Sequence, residues 1–170
     1  GINDLYTVDG YGEFEKNALR SHVFPLFNIE FMGLMQDLQE QDIRINDPSN
    51  PGRVYFSGKG LKQPFKVSAG NHDFLTSIQA NSQDQVREMC EKTDALLKEI
   101  HAPFRISYAE VKKKYAENLV RERHIARAVR EAAYEHFKTA VERIKFLEKL
   151  FEGRSLGSSP DNIPDVENEI

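Results

Sequence analysis

A chain of 170 residues with 39% apolar residues, 29% charged residues and a formal charge of −4 can bury a core without covalent staples, and it is not a uniformly basic coat for nucleic acid. Its single cysteine, Cys90, excludes an internal disulfide and points to a reducing, cytoplasmic setting. The longest apolar run, residues 23–38, is interrupted by Pro25, Asn28 and Glu30 and is too short to span a bilayer, so no membrane partner is expected.

Residues 1–12 mix Asp, Gly and Tyr and read as an irregular lead-in, followed by weak helical character over 13–23. Pro25 suits a first helical turn. Beyond it Phe27, Phe31, Leu34, Met35 and Leu38 recur at three and four. With Phe24, Leu26, Ile29 and Met32 on the remaining sides, this predicts a buried central helix. Residues 47–52 form a dense turn cluster. Val54 and Phe56 then alternate with Arg53, Tyr55 and Ser57, and Ser57-Gly-Lys-Gly60 reads as the turn of a β-hairpin near 53–67. Pro64 keeps the second strand at an edge. Ser82-Gln-Asp-Gln85 has capping-box form and opens a helix with Val86, Met89, Cys90, Leu96, Leu97 and Ile100 on one face, ended by Pro103. Cys90 reads as a small buried hydrophobe.

Residues 108–152 contain neither Pro nor Gly. A capping box, Ser107-Tyr-Ala-Glu110, opens the stretch and Gly153 closes it. One continuous helix of about 45 residues would be on the order of 65–70 Å long, more than the body of the protein. Its forward half carries a thin seam of Tyr108, Val111, Tyr115, Asn118 and Glu122. The second half carries a wide core face through Ile125, Val129, Ala133, Phe137, Ile144, Leu147 and Phe151. Residues 154–170, rich in Ser, Pro, Asp and Asn, read as a disordered acidic tail. The expected fold is mainly α with a minor β part: a single helical domain over 1–153, with a small β-hairpin and one very long C-terminal helix over 108–152.

Such a rod leaves Tyr108, Val111, Tyr115 and Leu119 for a protein partner or a second copy. Arg123, Arg127 and Arg130 form a column beside that seam. Arg123 and Arg130 have no acid three or four residues away, so the column suits phosphate or an acidic surface. The spacing of Arg130 and His136 is similar to the Arg–His signature of HEPN-type helical ribonucleases, a resemblance of two residues that implies a composite nuclease site. His22, His72, His101 and His124 lack zinc spacing. Ser57-Gly-Lys-Gly60 lacks the strand–loop–helix context of a phosphate loop. No catalytic residue, metal or cofactor is expected. The leading expectation is a non-enzymatic interaction or assembly protein, a homo-oligomer or bound to a protein partner through the long helix. The alternative is a nucleic-acid-binding accessory protein using the basic face, and the third reading is a helical nuclease.

Overall fold

The computed structural model describes all 170 residues, and its contacts divide the chain into a sheet unit, Gly1–Gln79, and a helical unit, Ala80–Ile170. The coarse expectation, mainly helix with a minor β part, holds; the arrangement within it differs. The sheet unit contains β1 (Ile2–Leu5), α1 (Tyr11–Arg20), β2 (Phe27–Leu34), α2 (Gln36–Glu40) and β3 (Arg53–Leu61). The longest helix, α3 (Ala69–Glu99), lies in the middle of the chain rather than at its C-terminal end and contains the boundary between the units.

β1 pairs parallel with β2 (Ile2 opposite Phe27), and β2 pairs antiparallel with β3 (Phe31 opposite Phe56, Leu34 opposite Arg53). The central element is therefore a strand where the apolar run suggested a helix. Phe27 and Ile29 are buried while Asn28 and Glu30 are half-exposed, the alternation of a pleated strand. Asn28 fastens both neighbours, donating to the Ile2 carbonyl at 3.0 Å and accepting from the Gly60 N–H at 3.2 Å. A short run apolar on every side fits either period, and the strands on its flanks decide. Residues 1–12 accordingly contain a strand rather than an irregular lead-in.

The expected hairpin over 53–67 is corrected in the same way. Ser57-Gly-Lys-Gly60 lies inside β3, whose partner precedes it in the chain. At Gly58 an added Cβ would sit 3.4 Å from Ile29 Cγ2 of the neighbouring strand, an ordinary contact, so this glycine makes no turn. The connection between β2 and β3 is held by Gly52, at φ +71°, whose N–H donates to Ile43 and whose carbonyl accepts from Met35. The carboxylate of Asp47 collects N–H donors from Ser49, Asn50 and Arg53. α1 covers one end of the sheet by packing Tyr11 and Phe14 on Phe27, with ring centroids 5.0 and 6.0 Å apart.

In the helical unit α3 is followed by α4 (Tyr108–Tyr115), α5 (Glu122–His136), α6 (Ala140–Leu150) and α7 (Ile163–Glu169). Val86, Cys90, Leu97, Val111, Val120, Val129, Ala133, Leu147 and Val166 form the buried centre. Ser82 is not a helix start, because α3 has already run from Ala69 behind a Ser68 cap. Cys90 is buried, and its thiol is pushed up to about 11 by desolvation and by Asp94, Glu91 and Glu110.

The 45-residue rod does not form. Ser107 caps α4 as expected, accepting from the Glu110 N–H. The helix then stops after Tyr115, where Ala116 turns extended, and Gln83 on α3 brackets Val120: its Nε2 donates to the Val120 carbonyl at 3.1 Å and its Oε1 accepts the Val120 N–H at 2.9 Å. Val120 is fully buried, and its backbone pairs with that amide instead of with a helical turn. The second break lies between α5 and α6. Thr139 forms a capping box with Glu142, and Arg143 Nε donates to the Phe137 carbonyl at 3.0 Å.

The tail is also corrected. Pro164 sits in the first turn of α7, Val166 is fully buried, and Gly157 N–H donates to Glu169 at 2.9 Å. Few apolar residues suffice here because Leu156, Val166 and Ile170 join the core cluster and the hydroxyl of Tyr134 reaches the Pro160 carbonyl.

Candidate functional site

Within the helical unit, segment 104–107, α4 and α5 enclose a cleft of about 680 Å³. Ile106, Val111, Ala128 and Ala132 supply apolar surface, and Arg105, Glu110, Lys113, Glu131, Glu135 and His136 supply polar groups. The size suits a few side chains of a ligand.

Glu131 is the electrostatic hub of this region. It accepts from Lys114 Nζ at 2.9 Å, from the Tyr115 hydroxyl at 2.8 Å, from Arg127 Nε at 2.9 Å and from Arg130 at 3.3 Å. Desolvation opposes its ionisation, but the bonds from Lys114, Arg127 and Tyr115 outweigh it and hold the carboxyl at about 2. Tyr115 and Glu131 in turn hold Lys114 protonated above the usual lysine range. Elsewhere on the rim, Arg105 forms a two-point pair with Asp94, and Ser107 donates to Glu110 at 2.7 Å.

The residues singled out from sequence fall into three groups. Val111 and Tyr115 line the cleft, though Val111 is buried and the Tyr115 ring lies under the charges of Lys114 and Arg127. Tyr108 instead bonds Gln83 at 2.8 Å with Arg87 over its ring, and Leu119 is half-buried in the α4–α5 connection outside the cleft. No continuous seam of these four exists, because the helix that would carry it ends at Tyr115.

The arginine column is largely engaged. Arg127 pairs with Glu131, one turn on. Arg130, its side chain only 12% exposed, pairs with Glu167 of α7 at 2.7 Å as well as with Glu131. Arg123 is exposed and in no ion pair. The partner of Arg130 could not be found by counting three and four along one helix; it comes from the segment read as disordered. His136 stacks on Phe104 with ring centroids 5.6 Å apart and lines the cleft, whereas Arg130 does not. The two residues of the nuclease-like spacing therefore do not meet in one cleft of this chain. No group of three or more His, Cys, Asp or Glu side chains is placed to hold a metal.

No family model, curated protein or solved structure matches this chain. Its class rests on its own geometry: a three-stranded mixed sheet unit and a five-helix unit with an apolar-floored cleft.

Proposed function

We propose that the protein is a non-enzymatic interaction module whose α4–α5 cleft accepts apolar side chains from a partner protein. The observation that carries this reading is an apolar floor beside charges that are partly committed to one another, Glu110, Lys113 and Glu135 being the rim charges outside ion pairs. Its apolar floor is open, while Lys114, Arg127 and Glu131 are committed to one another and Arg105 to Asp94. A charged wall already paired contributes little net attraction for phosphate, and His136 has no acid at ion-pair distance to orient it as a proton carrier. Apolar burial is the remaining source of affinity, with polar rim groups setting orientation. Arg127 and Arg130 would have to abandon carboxylates to serve a nucleic-acid backbone.

Selection from a random peptide library tests this. Peptides with one or two large apolar anchors should be enriched on the wild-type chain. Ala132→Trp, which fills the cleft, should weaken them by at least about tenfold. Equal binding to Ala132→Trp, or no enrichment, refutes the reading.

A further inference from the structure

The sheet unit has a feature the cleft does not explain. Of the large apolar residues left exposed, eleven are in residues 1–79 and three in 80–170. Four of the eleven cluster where α1 hands over to β2: Leu19, Val23, Phe24 and Leu26, with Phe24 81% exposed. They stand on the last turn of α1 and on a projecting connection stiffened by Pro25, not in a groove.

The strand register puts a basic rim beside them. Phe27 lies opposite Leu61, and Asn28 opposite Lys59, so the start of β2 and the end of β3 share one end of the sheet. That end carries Lys59 and Lys62, and the final turns of α1 add Lys16 and Arg20; all four are exposed. None of the four is in an ion pair. Residues 16–29 and 48–72 contain no Asp or Glu, in a chain with 27 acidic residues. An acidic protein thus carries two acid-free stretches here, with Glu13 and Glu15 on the earlier turns of α1, and its most exposed aromatic side chain lies in one of them.

We propose that this end of the sheet unit docks on an anionic lipid surface. Phe24, Val23 and Leu26 enter the interfacial layer, while Lys16, Arg20, Lys59 and Lys62 contact lipid phosphates and carboxylates. A protruding apolar tip ringed by cations matches an interface that is apolar beneath and negative above. A second copy fits poorly, since a two-fold contact through this patch would bring two like-charged rims together. No helix of the chain is long and apolar enough to cross a membrane, and peripheral docking requires none.

Cosedimentation of the full chain with vesicles tests the assignment. Vesicles of phosphatidylcholine and phosphatidylserine in roughly a 7:3 ratio should pellet it at about 0.1 M salt, and pure phosphatidylcholine vesicles should not. Phe24→Ser and the pair Lys59→Glu/Lys62→Glu should each weaken binding about tenfold or more. Phe74→Ser, which removes another exposed ring, on α3, should leave binding unchanged. All these side chains are exposed, so an unchanged melting temperature shows that the variants are folded. Failure to pellet with anionic vesicles overturns the proposal. Pelleting that ignores both the Phe24 and the lysine changes also overturns it. So does a Phe24→Ser variant whose only effect is to dissociate an oligomer, which would assign the tip to a protein contact.

Discussion

Val166→Ala tests whether α7 belongs to the core of the helical unit. Val166 is fully buried against a cluster that includes Val129, Ala133 and Leu147. The substitution removes two methyl groups, about 1.6 kcal/mol of lost burial. Incomplete collapse of the resulting void raises the cost to about 2–3 kcal/mol. In a unit of this size that lowers the melting temperature by roughly 10 °C or more. Urea unfolding followed by circular dichroism at 222 nm reports mainly on helix and gives the free-energy change directly. Ile163→Ala, at an exposed position on the same helix, is the control and should stay within about 0.5 kcal/mol. Hydrogen exchange should show the same coupling, with α5 amides losing protection alongside those of α7. A Val166→Ala loss below about 0.5 kcal/mol would mean that α7 is not held on α5, and the account of Arg130 as an engaged residue would fall with it.

Three further outcomes follow from the geometry. At Gly52 an added Cβ would lie 2.6 Å from the Met35 carbonyl and 2.7 Å from the Gln39 amide nitrogen, at a φ of +71°; Gly52→Ala should cost about 3 kcal/mol or more, read from the urea midpoint, and a loss under about 1 kcal/mol would contradict this backbone path. Tyr11 is 1% exposed and its hydroxyl has no hydrogen-bond partner, so Tyr11→Phe should be neutral or stabilise by about 1 kcal/mol; clear destabilisation would reveal a partner for that oxygen. His124 Nδ1 accepts the Arg121 N–H at 3.2 Å, and desolvation together with Arg123, Arg121 and Arg127 holds its pKa below 6.5. Its contribution is therefore complete above pH 6.5 and is lost as pH falls below that value, because the unfolded chain takes the proton first. His124→Asn, which retains an acceptor, should flatten that part of the stability–pH curve, and an unchanged slope would remove His124 as its source.

Local chemistry made several features legible. Ser107 and Glu110 announced the start of α4, and the four-residue spacing of Ile125, Val129 and Ala133 marked the buried face of α5. Thr139 and Glu142 repeat the same capping signature, and that break was readable although the absence of Pro and Gly argued for continuity. Helix ends were harder to read because the left-handed residues closing α1, α2, α3 and α6 are His22, Asp42, His101 and Glu152 rather than glycine. The 6→1 bond at the end of α6, from Gly153 N–H to the Glu148 carbonyl, puts Glu152 and not Gly153 at the first position beyond the cap. The strand identity of residues 27–34 and the pairing of Arg130 with Glu167 depend on partners distant in the chain, which no window of neighbouring residues contains.

The Gln83 bracket around Val120 ties the connection between α4 and α5 to α3. Residues 116–121 hold no proline and no glycine, and their local stop signal is the cap in which the Arg121 N–H donates to His124 Nδ1. A single side-chain amide, 37 positions earlier in the chain, pairs with both the N–H and the carbonyl of Val120. The joint between the two helices is thus set from outside the segment that contains it, by one residue of α3.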